Sequence, residues 1–297
     1  MGTILLTGAT GQVGWELQQS LAVLGNVIAY DHQRFDLSNK DQICDTIRTV
    51  RPNVIVNAAA YTAVDRAESE PELVMQINAT APGIMAEEAK RIGAIMVHYS
   101  TDYVFDGRKR EPYMEDDEPN PLNVYGKSKL AGETAIRAAA GSFLIFRTSW
   151  LYGTRGQNFL LTILRLARSR NELRIVDDQY GAPTWSRTIA DATANVLHQM
   201  ISKREREISR IFHLSAMGAT TWCRFAKRAL DQLKLATRVI PISTAEYPTP
   251  AMRPSNSMLA TEELSKSFEI KLPRWETALD QVLRELKALE NTNLVES

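Results

Sequence analysis

Thr3-Ile4-Leu5-Leu6-Thr7-Gly8-Ala9-Thr10-Gly11-Gln12-Val13-Gly14 is the stretch on which the fold turns. A short apolar run enters three glycines spaced Gly-x-x-Gly-x-x-Gly. Beyond them, Val13, Leu17, Leu21 and Leu24 recur at helical spacing over residues 11–24, and Gly25-Asn26 ends the run. A strand that passes into a helix through such glycines makes a tight turn and lets another backbone come close. It also leaves free N–H groups at the positive end of the helix dipole. That is a cradle for a pyrophosphate, with Gly8, Gly11, Gln12, Val13 and Gly14 as its candidate residues.

Outward from this turn, apolar runs and amphipathic runs alternate. Strands are expected at 3–7, 27–30, 54–57, 94–99 and 143–148, and helices at 40–50, 71–75, 81–91 and 124–140. The strands are apolar throughout rather than alternating, as in a parallel sheet covered on both faces. With right-handed crossovers this predicts a doubly wound, Rossmann-like α/β fold. After about Trp150 the pattern becomes less regular. Helices are expected at 158–169, 188–201, 221–233 and 275–289, with strand-like pieces at 174–176 and 211–214. Residues 241–254, with four prolines, read as loop, and 291–297 as a frayed end. We divide the chain into a dinucleotide-binding domain, 1–150, and a smaller, mainly substrate-binding domain, 151–297. Some segments of the latter, 211–214 among them, are expected to return to the sheet.

Composition narrows the function classes. Lys+Arg and Asp+Glu are both 35, so no basic field exists for nucleic acid or an anionic membrane. No apolar stretch approaches the ~20 residues of a membrane helix. No basic region precedes the N-terminal apolar run, and Leu6 breaks the myristoylation motif that Met1-Gly2 begins. A soluble, cytoplasmic protein is expected. Cys44 and Cys223 have no metal or redox spacing and read as reduced, packed thiols; His32, His98, His198 and His213 read as structural. The charge runs 115–118 and 203–210 read as solvated surface.

The second strand ends at Tyr30-Asp31, where an acid can bond the ribose hydroxyls of NAD. Arg34, three residues on, can instead accept the 2′-phosphate of NADP, so both remain open. Asp36 and Leu37 lie within reach of the adenine. Asn57-Ala58-Ala59-Ala60-Tyr61-Thr62 closes another strand with small residues that let backbone lie against a dinucleotide. Tyr125 and Lys129 form the one Tyr-x-x-x-Lys in the chain. One helical turn sets the ammonium beside the phenol, lowering its pKa and orienting a ribose. Such a tyrosine exchanges a proton with a carbonyl or alcohol oxygen. Thr101, in Ser100-Thr101-Asp102-Tyr103-Val104-Phe105 at a strand end, can bond the same oxygen.

Together these residues resemble the extended branch of the short-chain dehydrogenase/reductase superfamily, which acts on nucleotide-sugars. Within it the chain resembles the dTDP-4-dehydrorhamnose reductase family over nearly its whole length. The resemblance rests on residues 56–65 with Ala67-Glu68, on 98–105, and on Pro121-Leu122-Asn123-Val124-Tyr125-Gly126-Lys127. It continues in Arg147-Thr148-Ser149-Trp150, Asp178-Gln179-Tyr180-Gly181-Ala182-Pro183-Thr184 and Arg253-Pro254. It implies hydride transfer from NADPH or NADH to C4 of dTDP-4-dehydro-β-L-rhamnose, in polysaccharide biosynthesis.

By position, the resemblance makes Tyr125 the proton donor, Lys129 the group that tunes it and holds the nicotinamide ribose, and Thr101 the group that orients the carbonyl. Asp102, Tyr103 and Trp150 fall beside the substrate; Gly11, Gln12, Val13, Asp31, Asp36, Leu37, Ala60, Tyr61 and Thr62 fall on the cofactor. Trp150 also fits a core position. Arg253 is a candidate for the dTDP phosphates or a surface arginine. Residues 181–184 also fit a rigid turn.

Some members of the family bind Mg²⁺ at a dimer interface through a carboxylate shortly after Gly-Ala-Pro-Thr. Here that stretch is Trp185-Ser186-Arg187, and arginine cannot ligate a hard cation. Glu16 remains, and the metal and the homodimer built on it are left open. Two other readings stand beside the reductase. One is an epimerase or dehydratase of the same superfamily. The other is a non-catalytic subunit like the partner of methionine adenosyltransferase.

Overall fold

The computed structural model describes residues 2–203 and 207–295. The first half alternates β1 (Gly2–Thr7), α1 (Gln12–Ala22), β2 (Gly25–Tyr30), α2 (Lys40–Val50), β3 (Val54–Asn57), α3 (Val64–Ala67), α4 (Pro71–Met75), α5 (Ala81–Ile92), β4 (Ile95–Thr101), α6 (Val124–Ala138) and β5 (Phe143–Thr148). A π-helical turn, Gln76–Thr80, joins α4 to α5. The second half holds β6 (Leu151–Tyr152), α7 (Phe159–Ala167), β7 (Glu172–Val176), β8 (Tyr180–Gly181), β9 (Thr184–Trp185) and α8 (Ser186–Lys203). These are followed by β10 (Ser209–His213), β11 (Thr220–Thr221), α9 (Trp222–Gln232), β12 (Arg238–Ile242), α10 (Glu262–Phe268) and α11 (Trp275–Val295).

Local chemistry sets the helix starts. Asn39, Asn123, Asn158 and Thr221 each accept a backbone N–H of the first turn of α2, α6, α7 and α9. β3, β4 and β5 are buried at every residue, because helices cover both faces of their sheet. That sheet is wholly parallel, in the order β2-β1-β3-β4-β5-β10. The chain winds outward in opposite directions from β1, so a crevice opens at the carboxyl ends of β1 and β3. One core, with Leu17, Leu21, Val196, Leu197 and Phe268, joins α1, α8 and α10 to the sheet; another, with Ile43, Ile47, Met85 and Ile136, joins α2, α5 and α6. Away from the sheet, Tyr152, Phe225, Trp275 and Leu279 form a further core, beside one built on Ile163, Leu173 and Leu230. Both cysteines are buried and free.

The expected return of 211–214 to the sheet is seen: most of it lies in β10, on the edge of the main sheet next to β5. Three expectations change. The segment expected to be loop, 241–254, begins inside β12, whose last two residues it supplies; β12 pairs with β7 in a two-stranded ribbon, and Pro241 fits there because an edge strand has no second neighbour to serve. Helix α11 continues to Val295, so the frayed reading fails for 291–295, and 296–297 lie outside the described residues. Glu115 is not a solvated charge. Its carboxylate accepts the His213 N–H at 2.9 Å, and its carbonyl accepts from Arg147. Of the other charge run, 204–206 lie outside the described residues, and Arg210 pairs with Glu263.

Candidate active site

The glycine turn lies at the crevice. Gly8 has φ +72 and its carbonyl accepts the Gly11 N–H at 2.9 Å. A Cβ on Gly8 would stand 2.6 Å from the Ala59 nitrogen, and one on Gly14 2.0 Å from the Gly8 carbonyl oxygen. Only glycine fits either position. No side chain caps α1 at Gly11, and a Cβ there would meet little beyond the Gly8 carbonyl. First-turn N–H groups without a side-chain cap, at an open cradle, fit a dinucleotide pyrophosphate. Val13 and Leu37 turn their side chains into the core, so any contact they make with a cofactor runs through backbone. The Gln12 amide reaches across to Asn158, which donates to its Oε1 at 3.1 Å.

Asp31 folds its carboxylate back on the N–H groups of Gln33 and Arg34, both at 3.1 Å, and Asp36 accepts from the N–H and hydroxyl of Ser38. Asn78, in the π-helical turn, clasps Tyr61 by accepting its N–H and donating to its carbonyl. The Tyr61 hydroxyl donates to Glu70, and Ala60 and Thr62 flank it, Thr62 exposed.

Tyr125 lies in the first turn of α6. Glu68 accepts the Val124 N–H, and the ring of Tyr103 stands edge-on to that of Tyr125. Burial pushes the Tyr125 phenol up to about 12, opposed by its bond with the Thr101 hydroxyl. The expected lowering by Lys129 is therefore absent from this state. Its amine, 2% exposed, meets His98 Nε2 at 3.0 Å, and burial draws it down to about 8. His98, read as structural, is thus the neighbour of Lys129. Thr101 accepts the Tyr103 N–H. Burial raises the Asp102 carboxyl to about 6, and its Oδ2 has no hydrogen-bond partner among the described residues.

A cleft of about 790 Å³ opens beside these groups, with Tyr103, Arg253, Asp65 and Trp222 in its wall. Tyr125 and Lys129 are not among its lining residues. Arg253 grips Asp65 with two bonds of 2.6 and 2.8 Å, so it is not a free surface arginine. Trp150 takes the core alternative: it is 9% exposed, stacked on Trp222 at 3.5 Å, and bonded to the Ser257 hydroxyl. Gly181 makes room for it, since a Cβ there would stand 2.4 Å from the indole. Residues 181–184 are the turn that seats this ring. Sequence reasoning missed the roles of His98, Asn78, Trp222 and the Asp65 grip; Asp65, inside the 56–65 motif, and His98, at the start of 98–105, carried a signal.

The residues do not fit an interfacial Mg²⁺. Arg187 lies between Glu16 and Glu285, at 2.9 and 2.5 Å, where its guanidinium already neutralises both carboxylates. Among the described residues no cluster of three or more His, Cys, Asp or Glu is placed to hold a metal, and no helix is long and apolar enough to cross a membrane.

A family model described as "RmlD substrate binding domain" matches residues 2–288. The dTDP-4-dehydrorhamnose reductase of Salmonella typhimurium is 48% identical over 293 residues, covering 95% of this chain and 97% of its own. The crystal structure of dTDP-4-dehydrorhamnose reductase from Bacillus anthracis in complex with NADP superposes with a TM-score of 0.88 at 35% identity, over 96% of this chain and 99% of that one. UDP-glucose 4-epimerase of Thermus thermophilus, at 18% identity and a TM-score of 0.79 over 96% and 99%, shares the fold alone.

Proposed function

The chain belongs to the RmlD substrate binding domain family, and from that premise we propose that it reduces the C4 ketone of dTDP-4-dehydro-β-L-rhamnose with NAD(P)H. The epimerase, dehydratase and regulatory-subunit readings are not favoured. The observation that carries the proposal is the juxtaposition of Tyr125 and Thr101, both in contact with Tyr103 of the cleft wall, with the phenol kept protonated. A reductase needs its acid loaded before the reaction, and a phenol near 12 is loaded throughout the neutral range.

When bound, the reduced dinucleotide supplies the hydride. Gly8, Gly11 and Gly14 and the first turn of α1 hold its pyrophosphate, with Asp31, Asp36, Ala60, Tyr61 and Thr62 along the rest of it. Thr101 donates to the ketone oxygen and Tyr125 delivers a proton to it, so that C=O becomes CH–OH as charge develops on oxygen. Asp102, buried next to Thr101, belongs to the sugar side of the reacting pair. Arg253, fixed by Asp65, offers its guanidinium to the diphosphate, and Trp150 braces the Trp222 wall from behind. The reading carries a cytoplasmic location with it, where the dinucleotide is regenerated.

The test is NAD(P)H oxidation with dTDP-4-dehydro-L-rhamnose made in situ from dTDP-glucose. Substrate-dependent oxidation is expected, and Tyr125→Phe should lose about 10²–10⁴ of it while still binding cofactor. Unchanged turnover in that variant would overturn the assignment.

A further inference from the structure

The pair formed by Lys129 and His98 is the end of a longer buried chain, and hydrogen counting assigns each of its links. The Ala59 backbone N–H can only donate, and it does so to Asn57 Oδ1 at 3.2 Å. The Thr7 hydroxyl donates to the same oxygen at 2.7 Å. The amide of Asn57 is thereby oriented, and its NH₂ faces His98 Nδ1 at 3.1 Å. A ring nitrogen that meets a donor must accept. A neutral imidazole with a bare Nδ1 carries its hydrogen on Nε2, the atom facing Lys129 Nζ at 3.0 Å. An N–H at that place needs a lone pair on the amine, which only neutral lysine has.

We propose that His98 is a positioning residue that couples the charge of Lys129 to the backbone of the cofactor-facing segment. With the amine neutral, the order is Thr7 and Ala59 to Asn57, Asn57 to His98, and His98 to Lys129. When the amine takes a proton, Nε2 must accept and Nδ1 must carry the hydrogen. Asn57 then has to turn its oxygen toward the ring, and the Ala59 N–H loses its acceptor. Ala60 and Tyr61 follow directly in that segment, so the charge of Lys129 is felt where the dinucleotide is held.

The surroundings support a two-state pair. Asn57, His98 and Lys129 are each at most 2% exposed, so water cannot rescue a mismatched hydrogen. Burial holds the imidazole far below its usual pKa and therefore neutral, while the amine, near 8, changes charge close to neutrality. The charged and titratable groups around the pair are Tyr125 and Glu133 on α6, Arg147 on β5 and Asp102 just past β4. Glu133 is closed by Arg147 in a two-bond pair. β3 contributes Asn57, and the π-helical turn contributes Asn78, which donates to Ser128; both are uncharged.

Two measurements test this on the full chain. The first is ring-nitrogen NMR of histidine-labelled protein, the four histidines being few enough for His98→Gln to assign the signal. The ring should carry its hydrogen on Nε2 on the alkaline side of neutrality. It should change to the Nδ1–H tautomer in one step as Lys129 gains its proton. A ring that stays Nδ1–H throughout overturns the proposal, with no need for turnover.

The second measurement rests on the reductase reading and uses Asn57→Asp. This variant keeps the oxygen that Ala59 and Thr7 use but offers the ring an acceptor, favouring the ammonium. Because the ammonium is the form lost as pH rises through about 8, the alkaline limbs of kcat and of NADPH binding should move up by about one pH unit. In the His98→Gln background the same change should no longer move them. A merely structural role for His98 would lower kcat and leave the limb where it was, and that result would also overturn the proposal.

Discussion

Asp102 shows what a single buried carboxyl costs and what it signals. Burial raises it from an ordinary 3.8 to about 6, so the folded chain binds this proton more tightly than the unfolded chain. Its contribution to stability is therefore favourable below the ordinary value and is lost as pH rises through about 6. Asp102→Asn should stabilise the fold at pH values above that window by on the order of 1–3 kcal/mol, and should lower turnover. Urea unfolding on either side of the window checks the first part, and equal stability of the two proteins on the alkaline side would sink it. The motif around Thr101 and Asp102 was legible as chemistry because a hydroxyl and an acid end a strand next to a Tyr-x-x-x-Lys helix. The neutral state of the phenol was not, because burial at Tyr125 comes from Tyr103 and other residues distant in sequence.

At the level of elements, α6 decides where Tyr125 stands. Asn123 caps it by accepting the Gly126 N–H at 2.8 Å, and the other end of the same amide donates to the Met252 carbonyl. Asn123→Ala should cost about 1 kcal/mol of stability. It should also reduce kcat more than NADPH affinity, because it frees the helix start that carries Tyr125. Equal losses in both would argue that the cap only holds the fold. Gly126 packs its α-carbon against the chain after β4: a Cβ would stand 2.2 Å from the Tyr103 carbonyl oxygen. Gly126→Ala should therefore cost about 1–3 kcal/mol through overpacking, read as a lowered midpoint of thermal unfolding. Helical spacing placed Tyr125 and Lys129 on one face of this helix. It said nothing of His98, which reaches Lys129 from β4 across 31 positions of chain.

Over the whole molecule, the two halves are tied at the site by Arg253 and Asp65, which are 188 positions apart. Arg253→Lys keeps a charge but loses the planar two-bond grip. We expect KM for the sugar nucleotide to rise about tenfold with the dissociation constant of NADPH unchanged; a change in the latter alone would place Arg253 on the cofactor instead. Arg187 sits between carboxylates of α1 and α11, and with that cation built in, chelation by EDTA should leave both the rate and the unfolding temperature unaltered. A loss of activity on chelation, restored by Mg²⁺, would refute this.

Apolar runs, glycine spacing and cap residues act over a few positions, so the sequence by itself determined the alternation of strand and helix, the glycine turn into α1, and the placing of Tyr125 and Lys129 one turn apart on α6. Whether an edge piece joins the sheet depends on what lies beside it, and only the folded molecule set β10 against β5 and let Pro241 into a ribbon. The same holds for partners. Stacking of Trp150 on Trp222, the grip of Asp65 on Arg253 and the chain from Thr7 to Lys129 join groups that local spacing cannot relate. Burial, which moves the pKa values of Asp102, Tyr125 and Lys129, is a property of the assembled layers, and no stretch of sequence contains it.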